Sequence, residues 1–256
     1  MSAVHQSAEK GYALHANTYV RGRPDYPAEV SGWLRDTLCL HHGQIVVDLG
    51  AGTGKFTPYL TQTGANVIAV EPVAAMREQF KQKFSTIDIR NGTATAIPLR
   101  DSTADAVICA QAFHWFANRE ALAEIWRVLK PGGRLGLIWN MRDTGIDWVA
   151  ELGRIVDAHE GDTPRFASGR WREAFPFDGF TLLQEARFSH GHSGTAEDVI
   201  INRVRSTSFI AALPADAQAK VTDAVRALIA RTPALAGHDT VTVPYVTFAY
   251  VTQKKV

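Results

Sequence analysis

Asp48, Gly50, Gly52 and Gly54 fall at alternate positions in Val47-Asp48-Leu49-Gly50-Ala51-Gly52-Thr53-Gly54-Lys55, directly after the apolar run Ile45-Val46-Val47. Glycines so spaced between a strand and a helix let a small ligand lie against bare backbone at the helix N-terminus. The spacing narrows the ligand. A dinucleotide turn needs Gly-x-Gly-x-x-Gly, and Lys55 stands where its third glycine belongs. A phosphate-binding P-loop fails at both ends, with Leu49 at its first glycine and Phe56 at its Ser/Thr. Glu71 ends the next apolar run, Val67-Ile68-Ala69-Val70, and its two acceptor oxygens suit the paired hydroxyls of a ribose. An acid there also serves dehydrogenases, or simply favours the dipole of the following helix. Lys55 itself reads as a solvated helix residue.

Further along, His114 follows a fourth apolar strand pattern and is the first candidate for a general base; the bland alternative is a wall residue packed beside Trp115. Arg23 and Arg142 could each hold a substrate carboxylate bidentately, with structural pairing to Asp25 and Asp143 as the competing reading. Trp115 and Phe116 suit a pocket wall or core. His41-His42 and His190-Gly191-His192 lack a third ligand or an accompanying Cys or carboxylate cluster, so they read as solvated loop histidines and no metal is expected.

The elements that must position these residues follow from periodicity. Strand patterns at Ile45–Leu49, Val67–Val70, Thr86–Arg90, Ala104–Ala110 and Arg134–Trp139 alternate with helical ones, which predicts a parallel sheet with crossover helices. Helix Arg119–Lys130 is capped by Asn118, shows Leu122, Ile125, Trp126 and Leu129 on one face, and ends at Lys130-Pro131-Gly132-Gly133. Beyond Trp139 the rhythm changes: irregular and helical through Phe177, strands at Phe180–Phe188 and Thr240–Gln253, helices within Ala196–Arg231. Late helical material of this kind covers the carboxyl ends of strands, where open α/β sheets bind ligands.

The totals set the class. With 256 residues, 46% hydrophobic, 21% charged and a net charge of +1, the chain is an ordinary globular one with no electrostatic footprint for nucleic acid. Met1–Lys10 lacks the apolar run of a signal peptide, no stretch is long enough to span a bilayer, and Cys39 and Cys109 read as buried free thiols. A cytoplasmic protein acting on a small molecule, without nucleic-acid or membrane partners and as a monomer or homodimer, is expected.

Asp-x-Gly-x-Gly-x-Gly after a first strand resembles motif I of the class I S-adenosylmethionine-dependent methyltransferases. Tyr19-Val20-Arg21-Gly22-Arg23-Pro24-Asp25-Tyr26-Pro27, Gln111-Ala112-Phe113-His114-Trp115-Phe116 and Trp139-Asn140-Met141-Arg142-Asp143 are similar to segments of a subgroup that includes trans-aconitate methyltransferase-like small-molecule enzymes. The resemblance implies an α/β, Rossmann-like class I methyltransferase fold: a seven-stranded, mostly parallel sheet with an antiparallel last strand and a helical lid. It implies one domain over residues 1–256, with a cofactor-binding core at about 40–140 and the lid within about 141–240. It implies S-adenosyl-L-methionine as cofactor, with Asp48, Gly50, Ala51, Gly52, Glu71, Thr93, Ala94 and Gln111 around it. Thr93 stands where relatives carry an Asp for the adenine amino group, which shifts that contact toward backbone near Ala94. From its own chemistry, Tyr19 could close over the sulfonium with its electron-rich ring face or hydroxyl, with N-terminal packing as the competing reading, and Arg23, Trp115 and Arg142 are the candidates to meet the acceptor. The implied reaction is O-, N- or C-methylation of an organic acid or secondary metabolite; a nicotinamide-dependent oxidoreductase and a non-catalytic cofactor-binding protein are the alternatives.

Overall fold

The computed structural model describes residues 23–256. Seven strands form one sheet: β1 (Ile45–Leu49), β2 (Asn66–Val70), β3 (Asp88–Arg90), β4 (Ala104–Ala110), β5 (Leu129–Arg142), β6 (Gln184–Gly194) and β7 (Val241–Gln253). Their order is β3-β2-β1-β4-β5-β7-β6. The β1–β2, β2–β3, β1–β4 and β4–β5 pairs are parallel, whereas β7 runs antiparallel to β5 and to β6. The sheet is therefore mostly parallel, as the periodicity predicts, with one reversed strand, as the resemblance implies. Reversal at β1 between β2 and β4 opens a crevice at the strands' carboxyl ends, and that is where the glycine-rich turn lies.

Burial on both faces explains the near-continuous apolar runs of β1 and β4. Val46, Val47, Val107 and Ile108 are all fully buried. One face packs Leu122, Ile125 and Val128 of a crossover helix together with Trp139 and Trp171. The other packs Val30, Trp33, Leu34 and Leu38 from the helical segment before β1. A third cluster joins Leu152, Ile200, Val225 and Leu228 to Val241, Val243 and Tyr245 at the start of β7. Because β7 is reversed, that start lies beside the carboxyl end of β5, so the late helices cap the ligand edge of the sheet.

The helices are α1 (Glu29–Gly32, running on as a wider turn through Trp33–Thr37), α2 (Thr57–Thr61), α3 (Ala74–Lys83), α4 (Arg119–Val128), α5 (Asp147–Asp157), α6 (Arg203–Arg205, entered from the wide turns Glu197–Asn202), α7 (Ser208–Ala211) and α8 (Ala215–Arg231). Asn118 caps α4, its side chain accepting from the Ala121 amide at 2.8 Å.

Three strands depart from expectation: β3 begins at Asp88 and not Thr86, and β5 and β6 differ at both ends. The Lys130-Pro131-Gly132-Gly133 stretch is not a turn outside the sheet but the entry of β5. Long-range pairing holds it there, since the Gln253 side chain donates to the Gly132 carbonyl and the Lys254 amide to that of Gly133. The β6 strand begins at Gln184, not Phe180, and continues to Gly194 because it stays paired with β7 along its whole length. Residues 190–192 are thus strand, not solvated loop: His190 and His192 are half-buried, whereas His41 and His42 are exposed.

Replacing Asn118 by Ala removes the cap of α4 and is expected to cost about 1 kcal/mol of unfolding free energy without changing the denaturant slope. A loss below about 0.3 kcal/mol in urea titration would show that the cap bond contributes little.

Candidate active site

The turn after β1 is fixed by its own backbone. Gly50 and Ala51 both donate to the Val70 carbonyl, at 2.8 and 3.2 Å. Gly50 and Gly52 hold φ of 72° and 57°, the left-handed region that favours glycine. Their roles differ from that of the third glycine. A Cβ on Gly50 would sit 2.8 Å from the Ala112 side chain, whereas one on Gly52 would meet only the Met76 sulfur at 3.7 Å, leaving open space beside the pocket. A Cβ on Gly54 would run into Phe80 and Phe84, so that glycine serves packing instead of ligand approach.

One carboxylate then joins two loops. Glu71 Oε2 accepts the Gly52 amide at 3.0 Å and Oε1 accepts the Val73 amide at 2.9 Å. Each oxygen keeps a further acceptor position for a ligand hydroxyl. Burial raises the Glu71 pKa, against the lowering pull of those two amide bonds. Asp48, at the end of β1, is 1% exposed and accepts from Thr57 Oγ1 at 2.7 Å. Burial pushes its pKa up from 3.8 to about 7, with the Thr57 bond opposing and the Glu71 charge adding.

A single cavity brings most of the expected residues together. Asp48, Gly50, Ala51, Gly52, Glu71, Thr93, Ala94, Gln111, Arg23 and Trp115 all line it. Thr93 Oγ1 lies 3.3 Å from Thr95 Oγ1. Gln111 has φ of 56°, a strained position for a non-glycine residue, and its side-chain amide donates to the Asn140 carbonyl at 3.0 Å. Tyr19 lies outside the described residues.

His114 and Arg142 stand apart from that lining. The His114 Nδ1 accepts the indole N–H of Trp139 at 3.0 Å. Burial, with Arg165 and Arg23 nearby, lowers its pKa to about 3, so the ring is neutral at physiological pH. Since the indole can only donate, the ring proton resides on Nε2. That removes the lone pair a base needs and turns His114 into a hydrogen-bond donor. Arg142 sits two residues beyond Asn140 on β5, and its anticipated pairing does not form: Asp143 instead accepts the Gly145 amide. Asp25 likewise pairs with Lys55, whose ammonium also donates to the Arg23 carbonyl at 2.8 Å. Lys55 is thus a pocket-lining strut that ties the segment before α1 to the glycine turn.

Sequence reasoning missed Arg203, which lines the cavity from α6 and donates to Thr207 Oγ1 at 3.1 Å. No motif surrounds it. Asn140 was within a quoted segment but not singled out; it lines the cavity, donates to the Asp25 carbonyl and accepts from Thr247. Among the described residues the acids lining the cavity are Asp48 and Glu71, and the basic side chains lining it are Arg23, Lys55 and Arg203. No three His, Cys, Asp or Glu side chains among the described residues are grouped as metal ligands, and none of the described helices is long and apolar enough to cross a membrane.

A family profile described as a methyltransferase domain matches residues 47–137. The chain is similar to an uncharacterized methyltransferase-like protein of Schizosaccharomyces pombe, at 38% identity over 247 residues and 96% of each chain. Among solved structures it is similar to the [4+2]-cyclase SpnF, with a TM-score of 0.60 at 17% identity, over 99% of this chain and 98% of that one. It is also similar to a phosphoethanolamine N-methyltransferase of Haemonchus contortus in complex with phosphomonomethylethanolamine and S-adenosylhomocysteine. There the TM-score is 0.58 at 12% identity, over 100% of this chain and 61% of that one. The structural likenesses concern the fold, which hosts more than one chemistry.

Asp48 makes stability depend on pH. Its folded pKa of about 7 lies above the ordinary 3.8, so its contribution favours folding below pH 4 and is lost as pH rises to 7. Asp48→Asn keeps an acceptor for Thr57 without the charge. The ligand-free variant should therefore gain on wild type from pH 4 to pH 7, by ~4 kcal/mol at the upper limit, and hold that lead above pH 7. Thermal melts showing a difference independent of pH would mean that Asp48 is an ordinary ionised carboxylate.

Proposed function

The chain belongs to the class I methyltransferase family and is a transferase, and from that premise we propose that it moves a methyl group from S-adenosyl-L-methionine to a small organic acid. The observation that carries this reading is one cavity lined by the glycine turn, the two buried acids Asp48 and Glu71, and the guanidinium side chains Arg23 and Arg203. The glycine turn and its acids fit the cofactor: Glu71 has acceptor positions left for two ribose hydroxyls, Gly52 leaves room beside the backbone, and Asp48 can meet an ammonium group. When bound, S-adenosyl-L-methionine supplies an already activated methyl sulfonium, which leaves the protein to bind, align and exclude water.

Asp48 is a buried acid that a ligand ammonium would hold in its ionised form, so its proton departs as the ligand enters. Thr93 and Ala94 would receive the adenine edge, the former as an uncharged acceptor and the latter through its backbone. Gln111, held in its strained conformation at the end of β4, closes the cavity floor toward Asn140. Trp115 and Phe116 add aromatic lining, Phe116 close beside Gly50. Arg23 and Arg203 would orient a carboxylate of the acceptor.

His114 supplies no base: its Nδ1 accepts the Trp139 indole N–H, its ring is neutral, and it stands apart from the cavity lining. A carboxylate reaches the site already deprotonated and needs no base, unlike an alcohol or an ammonium group. Methylation of a carboxylate oxygen, giving a methyl ester, is the chemistry these side chains suit.

Calorimetry should show micromolar binding of S-adenosyl-L-methionine and of S-adenosylhomocysteine, weakened about tenfold or more by Glu71→Ala, a loss of ~1.4 kcal/mol. Affinity should rise from pH 6 to pH 8, with proton release detected as a dependence of the heat on buffer ionisation enthalpy. Absence of binding at millimolar ligand would remove the cofactor assignment. With labelled methyl donor and a panel of organic acids, mild alkali should release the transferred label as methanol; alkali-stable label would move the reaction to nitrogen, carbon or a phenol.

A further inference from the structure

Thr57 opens α2 as a fully buried residue behind the glycine turn. A buried hydroxyl is costly unless it is bonded, and a threonine near a helix start commonly directs its proton to a nearby backbone carbonyl. Thr57 directs it to Asp48, nine residues back, with Oγ1 donating to Oδ2 at 2.7 Å. Among the described residues that is the one hydrogen bond the Asp48 carboxylate receives, and Oδ1 is left to the cavity that Asp48 lines. Thr57 itself is not part of the lining. It touches no ligand there and can act on one only through Asp48.

The other groups that face Asp48 do not favour its charge. Burial opposes ionisation most, and Glu71, at the end of β2, adds to that. The Cys109 thiol on β4 is fully buried and held neutral, in part by Asp48 itself. α2 carries no charged side chain, and the Lys55 ammonium just before it is turned to Asp25 and the Arg23 carbonyl. Among the described residues the Thr57 hydroxyl is therefore the group that stabilises the ionised carboxylate, and by engaging Oδ2 it fixes which oxygen stays open.

We propose that Thr57 is a positioning residue for the cofactor: through Asp48 it holds a carboxylate charged and aimed at the ammonium of the methionine moiety, and so sets the pH above which that moiety is captured. This rests on the reading of the glycine turn and its acids as the cofactor site. An ammonium binds the ionised acid and not the protonated one, so affinity falls about tenfold per pH unit below the Asp48 midpoint and is level above it. Deleting the Thr57 hydroxyl raises that midpoint, which weakens binding at low pH and spares it at high pH. Lost packing at a buried helix start would instead weaken binding by the same factor at every pH. The adenosine portion meets Glu71 and not Asp48, so a ligand without the amino-acid moiety is indifferent to Thr57.

The test titrates the full chain calorimetrically from pH 5.5 to pH 8.5 with S-adenosylhomocysteine and with methylthioadenosine, which lacks the amino-acid moiety. With the Asp48 midpoint at about 7, Thr57→Val should weaken S-adenosylhomocysteine about tenfold at pH 6, the equivalent of about one unit in that midpoint, and less than about threefold at pH 8.5. Thr57→Ser, which keeps the hydroxyl, should follow the wild-type curve. Methylthioadenosine should bind Thr57→Val and wild type alike at each pH. A Thr57→Val loss that is the same at every pH, or that methylthioadenosine shares, overturns the proposal, as does the absence of any loss at pH 6. Failure of wild type to bind S-adenosylhomocysteine counts against the cofactor reading instead, and the ligand-free chain then decides the role of Thr57. With carboxyl-labelled aspartate, the Asp48 carbon resonance, assigned by its absence from Asp48→Asn, should titrate about one pH unit higher in Thr57→Val than in wild type. Equal midpoints overturn the proposal. Thr57→Ala carries the same expectations should Thr57→Val not fold.

Discussion

Two amides from different loops meet on one buried side chain, and the arrangement of the pocket follows from that meeting. The Gly52 amide comes from the turn after β1 and the Val73 amide from the turn after β2, and Glu71 accepts both. A carboxylate with both oxygens engaged has little rotational freedom, so the separation of the loops is set by its width. The same two loops are joined a second time where Gly50 and Ala51 donate to the Val70 carbonyl. Neither loop has a helix or strand of its own to hold it open. The cavity keeps its shape because backbone donors that would otherwise be satisfied by water are satisfied by fixed acceptors.

Beyond that edge the cavity holds charge of both signs. Its two acids are buried and resist ionisation, which burial makes costly until a cation is present. Arg23, Lys55 and Arg203 line the same cavity. Where a site is sheltered from water, such charges act at short range and with low screening.

Much of this was legible in the chain. The boundaries of β1 and β4 follow from apolar runs that need burial on both faces, and α8 (Ala215–Arg231) from its helical periodicity. The glycine spacing located a turn that lines the cavity, although only the structure separates Gly50 and Gly52 from the packing role of Gly54. What was hidden depends on distant partners. Lys55 looked solvated because the groups that receive its ammonium, the Arg23 carbonyl and Asp25, precede it by about thirty residues. Arg203 lies in a short helix whose sequence has no marker for a pocket. His190 and His192 were misread as loop because β6 is an edge strand whose outward residues are Arg187, Ser189, Gly191 and Ser193; the alternation is present, but histidine occupies inward positions usually marked by apolar side chains. His114 was placed correctly at the strand end, yet its role turns on a bond from Trp139 that spacing does not reveal.

Apart from α5, the helices that cap the carboxyl edge of the sheet enter the chain between β6 and β7, two strands that are antiparallel neighbours. In topological terms they are the oversized loop of a hairpin. Register along β6 and β7 is set by the strands' own pairing, and the loop has no part in choosing it. Residues 195–240 can therefore change in length and composition without disturbing the glycine turn between β1 and β2. The residues presented to the cavity from that side, Arg203 among them, have one address: a replaceable insertion on a chassis whose remaining parts are constrained by one another.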